Sequence, residues 1–165
     1  MRGFAASLSL LGLLGCYGFA GGGLPPGINT VAIIPFDNLT AEPALQQQVY
    51  QAVREAVTNR LGLREASEAQ ADAVVRGTIT RYDPDQPVAF TGSDDPNQRQ
   101  VTVSRRLLRL TVNVEIIDQH TEKALWQRQG LTTEGDYDPG NEAAGRTKAL
   151  DRLTVNIVEG AQSQW

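Results

Sequence analysis

Few side chains in this sequence could carry a reaction. The 165 residues hold one cysteine and one histidine. His120 falls in a predicted turn between two strand-like runs, where an imidazole is ordinarily solvated and lacks the partners that make an acid or base. No spacing of His, Cys and carboxylates matches a zinc site. Ser104 lacks the Gly-x-Ser-x-Gly surroundings of an exposed nucleophile. Asp94 and Asp95 lie in a polar stretch without the ordered oxygen spacing of a calcium loop. The reading is that this is not an enzyme and that it needs no cofactor or metal. One cluster could bind: Arg99, Arg105, Arg106 and Arg109 gather at the entry to a long strand-like run, with Arg76, Arg81 and Arg128 on neighbouring runs. Guanidinium groups hold phosphate or carboxylate through paired hydrogen bonds. The alternative is a solvated polar face in which these arginines pair with Glu115 or with loop aspartates.

Cys16 belongs to a different chemistry. It closes the stretch from Phe4, an apolar run preceded by Arg2 that is too short to span a bilayer as a helix and suits a secretory signal. Leu13-Leu14-Gly15-Cys16 resembles the bacterial lipobox, where a small residue precedes a cysteine that is acylated and becomes the mature N-terminus. The expected division is a signal peptide over 1–15, the acylated cysteine and a Gly/Pro-rich tether over 16–29, and a single domain over 30–165. A plain secretory signal with an incidental cysteine is the other reading. As the sole cysteine, Cys16 cannot form an internal disulfide. The formal net charge of −4 gives no general basic footprint for nucleic acid. It also argues against adhesion to anionic lipid heads, so membrane attachment would come from acyl and diacylglycerol groups on Cys16.

The elements that must position the arginines follow from hydrophobic period. Gly21 to Gly23 and Pro25-Pro26 read as tether; no helix or Gly-Lys-Ser/Thr follows to make a phosphate loop. Thr30 to Phe36 reads as a buried strand and Asp37 to Thr40 as a turn. With Thr40 as N-cap and Pro43 in the first turn, a helix carries Leu45, Val49, Ala52, Val53, Ala56, Val57 and Leu61 on one stripe, and Gly62 stops it. Leu63–Ala66 fits a brief strand, and Ala73–Tyr82 a longer one that ends at the turn Asp83-Pro84-Asp85. Gln86 to Gln100 reads as a loop. Val101–Asp118 holds the longest strand pattern, with Leu108, Leu110, Val112, Val114 and Ile116 alternating against Arg109, Thr111, Asn113 and Glu115. Ala124–Thr133 pairs back, Glu134, Asp136 and Asp138 turn, and a last helix from Asn141 aligns Ala143, Leu150, Leu153, Ile157 and Ala161. Strands in a run flanked by two amphipathic helices predict an α+β two-layer sandwich, its mainly antiparallel sheet packed on one face by both helices.

Several of these segments together resemble a known family. Cys16-Tyr17-Gly18-Phe19, Gly21-Gly22-Gly23-Leu24-Pro25-Pro26 and the run Thr30 to Thr40 are similar to the start of LPS-assembly lipoproteins, the LptE family. Ala71 to Ile79 and Glu122-Lys123-Ala124-Leu125-Trp126 follow as later landmarks in the same order. The family usually has Gly before Tyr after the cysteine; here the two are exchanged. The resemblance implies an outer-membrane lipoprotein, anchored on the periplasmic face, that assembles with and plugs an LptD-like β-barrel and aids lipopolysaccharide insertion into the outer leaflet. Tyr17 in place of Asp after the cysteine fits outer-membrane sorting by the enterobacterial rule. Relatives touch lipopolysaccharide through basic side chains, and on local charge Arg105, Arg106 and Arg109 are the residues expected to do so. The β–α start also resembles that of CsgG-like secretion pores and activators of peptidoglycan synthases, which would make the protein a pore component or an enzyme regulator.

Overall fold

A computed structural model describes residues 24–92 and 101–163. The expected signal peptide, Cys16, Arg99 and the first part of the tether lie outside the described residues. The described chain forms one sheet from β1 (Thr30–Ile33), β2 (Asp37–Asn38), β3 (Arg64–Glu65), β4 (Ala73–Gly92), β5 (Val101–Asp118) and β6 (Lys123–Tyr137), with helices α1 (Ala44–Arg60) and α2 (Glu142–Gln162). Across the sheet the order is β3-β1-β4-β5-β6, and β2 pairs with β4 beyond the end of β1. The short strands pair in parallel, β4–β5 and β5–β6 antiparallel. The sheet is therefore mixed, its larger part antiparallel, and the architecture is the expected α+β sandwich.

Alternation along β5 decides which face is covered. Leu108, Leu110, Val112, Val114 and Ile116 are buried, and they share one core with Val31, Ile33, Phe36, Val75 and Ile79. From the helix layer Leu45, Val49, Val53 and Val57 of α1 and Ala149, Leu153, Ile157 and Ala161 of α2 close over it. Each Val, Leu or Ile among them contributes about 1.5–3 kcal/mol on burial, against about 0–1 for an exposed ion pair, so the core sets the fold.

Glycines set how near α2 comes. A Cβ on Gly135 of β6 would fall 1.8 Å from the carbonyl oxygen of Gly145, so helix and strand backbones touch there. At the other end of α2, a Cβ on Gly160 would meet the Trp126 indole at 2.4 Å. This contact line fixes the helix rotation. Ala143, expected on the apolar stripe, is exposed, and the buried stripe begins at Gly145.

Three local expectations need correction. Thr40 does not cap α1, which begins after Pro43. Asn38 instead closes a turn: its Oδ1 accepts from the Thr40 amide (3.0 Å) and hydroxyl (2.8 Å), and its amide donates to the Glu42 carbonyl (2.8 Å). Nor is Asp83-Pro84-Asp85 a turn or Gln86–Gly92 a loop. β4 runs on to Gly92, paired with Val101, and β-bulges between Asp83 and Gln86 and between Pro87 and Ala89 absorb the turn-prone residues. β6 likewise continues past Thr133 to Tyr137, because Glu134 faces Arg109 across the strand pair and Asp136 bonds Arg105.

Replacing Gly135 with Ala should therefore destabilise the protein by at least about 1–3 kcal/mol, the usual cost of overpacking. Gly92→Ala, where an added Cβ has nothing within 4 Å, should change stability by less than about 0.5 kcal/mol. Urea midpoints compare the two; equal effects would contradict the close-approach account.

Candidate functional site

The face of the sheet turned away from the helices is where the arginines collect. In β5 the odd positions Arg105, Arg109, Thr111 and Glu115 stand on it, beside Arg76 and Arg81 of β4 and Thr132, Glu134 and Asp136 of β6. Thr80, Arg81, Arg109, Thr111, Thr132 and Glu134 line a shallow open depression at its centre. The Thr111 and Thr132 hydroxyls lie 3.0 Å apart, and the Thr80 hydroxyl donates to the Thr111 carbonyl at 3.1 Å. Arg106 is on the other side: it stands opposite buried Tyr137 and pairs with Asp85. The sheet thus brings Arg105 and Arg109 together and separates Arg106 from them. Arg128 stands opposite inward-facing Val114 and does not extend their row.

Among the described residues, each of the four arginines on this face has an acid beside it. Nε and Nη2 of Arg109 donate to one Glu134 oxygen at 3.0 and 2.7 Å. Arg105 reaches Asp136 at 3.1 Å, Arg76 reaches Glu115 at 2.6 Å, and Arg81 leans on Asp83 at 3.4 Å. The face is polar and nearly balanced in charge, as the solvated-face alternative described. Such exposed pairs hold weakly, so a phosphate, with more charge and more acceptor atoms than a carboxylate, can displace the acid from a guanidinium. Chemically the surface can bind anions and carbohydrate hydroxyls. Among the described residues no group of His, Cys, Asp and Glu could hold a metal ion.

A second feature was hidden by reading residues 86–100 as a loop. β6 ends opposite Arg106, so beyond that point β4 and β5 continue alone as a two-stranded arm. Val88, Phe90 and Val101 on it are 50%, 60% and 68% exposed. Its root is braced: the Tyr137 hydroxyl donates to the Pro84 carbonyl at 2.5 Å, and the Tyr82 hydroxyl donates to Glu142 at 2.6 Å. Arg146 of α2 donates to the same Glu142 oxygen at 2.6 Å and lies 5.5 Å from the Tyr82 ring centroid. Burial pushes the Tyr82 hydroxyl above its usual range, while the Tyr82 and Arg146 donors hold the Glu142 carboxyl below its own. The run Pro87-Val88-Ala89-Phe90-Thr91 carries strand-forming residues that could have signalled the arm.

At the opposite end, Asp72 ties the chain's entry to the sheet. Its Oδ2 accepts from the Asn29 amide (2.9 Å), the Thr30 amide (2.9 Å) and the Thr30 hydroxyl (2.8 Å). Its own amide donates back to the Thr30 hydroxyl at 2.9 Å. His120, exposed, places Nε2 3.1 Å from Asp72 Oδ1, so the single histidine is an outer partner of a structural carboxylate. These donors, the Asn29 amide foremost, hold the Asp72 carboxyl far below the ordinary carboxylate range.

Comparison with known proteins places this geometry. The sequence model of the LptE family, described as lipopolysaccharide-assembly, matches residues 28–161. Among curated proteins none matches the chain. The fold is similar to that of protein XCC0632 from Xanthomonas campestris (13% identity, 86% of this chain and 92% of that one, TM-score 0.53). It is similar also to the hypothetical protein CT253 from Chlamydia trachomatis (13% identity, 82% and 99%, TM-score 0.51). PelC from Paraburkholderia phytofirmans, solved as a dodecamer, is similar at 16% identity over 82% of this chain and 88% of that one, TM-score 0.51. At these identities the likeness is one of fold.

The Asp72 geometry predicts an acid-side signature. A carboxylate whose folded pKa is depressed contributes stability that is full above the unfolded value of about 3.9 and drains away as pH falls through the folded value. Asp72→Asn should therefore lower the Tm at neutral pH, with the gap to the parent narrowing below about pH 4. Asp118, Asp136 and Glu142, also held low, keep some acid sensitivity in the variant. A gap that stays constant from pH 7 to pH 3 would contradict the assignment.

Proposed function

The chain belongs to the LptE lipopolysaccharide-assembly family, and from that premise we propose that it is an outer-membrane lipoprotein that plugs an LptD-like β-barrel. In this reading it aids the insertion of lipopolysaccharide into the outer leaflet. The family match across residues 28–161 carries the proposal, and the polar, charge-balanced open face supports it. A barrel of that kind has a polar, water-filled interior, which suits a sheet face of threonines and paired arginines. The helices seal the opposite face over the core, so the domain can stand in such a lumen without exposing apolar surface there. The arm extends the sheet past the helix layer and offers Phe90 and its neighbours to the barrel partner. No catalytic step is assigned; position and contact are the function.

Lipopolysaccharide contact is assigned to Arg105, Arg106 and Arg109, acting on its phosphates. Arg105 and Arg109 share the open face and should matter most. Arg105→Ala with Arg109→Ala should weaken lipopolysaccharide binding on the order of tenfold per guanidinium, from charge-assisted bonds of about 1.5–3 kcal/mol, with the loss shrinking as salt rises. Arg106→Ala should do less. Unchanged binding in the double variant would remove both residues from the site.

Attachment is assigned to acyl and diacylglycerol groups on Cys16, at the periplasmic face. Cys16→Ala protein should fold and still enter its barrel, but lose membrane retention when the barrel is absent. Loss of folding would place the start of the domain elsewhere. For the function as a whole the test is purification from outer membranes: the chain should come away with a large barrel protein. Recovery alone, or with a cell-wall synthase, would overturn the reading.

A further inference from the structure

The two faces of the sheet exchange polarity where it becomes the arm. Through the body of β5 the open face carries Arg109, Thr111, Asn113 and Glu115, and the helix side carries the buried aliphatic residues. Beyond Leu108 the order reverses. Leu107 opposite Asp136, Val103 opposite Phe90, and Val101 opposite Gly92 take the open face. Arg106 and the pair Thr91–Thr102 take the other side. Irregularities beside Val88 in β4 and Ser104 in β5 offset each other. Three residues on each strand separate the pair Pro87–Arg106 from Phe90–Val103, so the alternation survives them. Phe90 and Val101 are both more than half exposed. An added Cβ on Gly92 has nothing within 4 Å, so the space beside Val101 is open. Apolar side chains gathered on one uncovered face mark a contact site.

The order of groups along that face names the occupant. From the arm inward it runs from apolar (Val101, Phe90, Val103) to guanidinium (Arg105, Arg109) to hydroxyl (Thr111, Thr132). Arg105 leans to Asp136 of β6, away from Phe90. One molecule that meets all three in turn has acyl chains, then phosphate, then sugar. We propose that the open face of the arm is an acyl-chain site, so that bound lipopolysaccharide lies with its acyl chains toward Val101 and its sugars toward Thr111. This rests on the lipopolysaccharide reading and adds the direction of the ligand and the residues that hold its apolar part. The four residues from Arg105 to Val101 span about 13 Å. That is close to the acyl depth of one leaflet, half of a hydrocarbon core about 30 Å thick. Within a barrel the chains lie between the arm and the wall it meets.

The test measures binding of two probes to the full chain in one detergent at fixed concentration. One probe is intact lipopolysaccharide; the other is the same glycan with its phosphates kept and its acyl chains removed. The parent should bind the intact probe at least about tenfold tighter, since buried methylenes add affinity. Phe90→Ser with Val101→Ser, checked for folding by circular dichroism, should shrink that ratio severalfold and leave the de-acylated probe bound as before. Phe90→Leu with Val101→Ile, which keeps the face apolar, should retain the ratio. Thr91→Ala with Thr102→Ala, on the other side of the arm, should bind both probes as the parent does. Arg105→Ala with Arg109→Ala should weaken both probes alike. A parent that binds both probes equally, or a folded serine variant with an unchanged ratio, would overturn the acyl site and leave the lipopolysaccharide reading standing. A parent that binds neither probe would overturn that reading and the site with it.

Discussion

In β5 the side chains from Leu108 to Ile116 alternate between core and solvent, and the rest of the molecule is built around that alternation. A period of two cannot slip by one residue without moving five buried aliphatic side chains into water. It therefore fixes the pairing of β4 and β6 on either side, the face on which both helices settle, and the face left polar. The glycine contact of Gly135 with Gly145 then decides how closely α2 may lie. Ion pairs and bulges adjust the result; they do not determine it.

Period and bulk made the core and the fold class legible in the sequence. β5 has the bounds that its pattern implies, and α1 buries Leu45, Val49, Val53, Ala56 and Val57, all on the expected stripe. Where composition stood in for pattern, the reading failed. Asp83-Pro84-Asp85 and the prolines after it look like turn residues, but pairing with β5 holds them in a bulged strand. Glu134 and Asp136 look like turn acids until the arginines opposite them are known. Such partners are distant in sequence, and no local window contains them. The candidate site shared this limit. Arg105, Arg106 and Arg109 are near neighbours in the chain, yet a strand's parity sends Arg106 to the helix side and leaves the other two on the open face.

Each boundary of the sheet is treated differently. The helix-covered face is closed by packing. The open face carries polar groups whose exposed pairs can exchange for other anions. One edge of β6 is occupied by cations from α2, while the arm formed by β4 and β5 keeps Val88, Phe90 and Val101 exposed. A free two-stranded hairpin is marginally stable in water, so the arm relies on its braced root at Tyr82 and Tyr137.

The central claim is that the open face of the sheet, and not the outer side of the helices, meets lipopolysaccharide. Photocrosslinking in intact outer membranes tests this directly, with a reactive residue at Thr111 on the open face and, separately, at Glu159 on the exposed side of α2. The account predicts that lipopolysaccharide is captured from Thr111 and not from Glu159. Capture from Glu159 with none from Thr111 would contradict it.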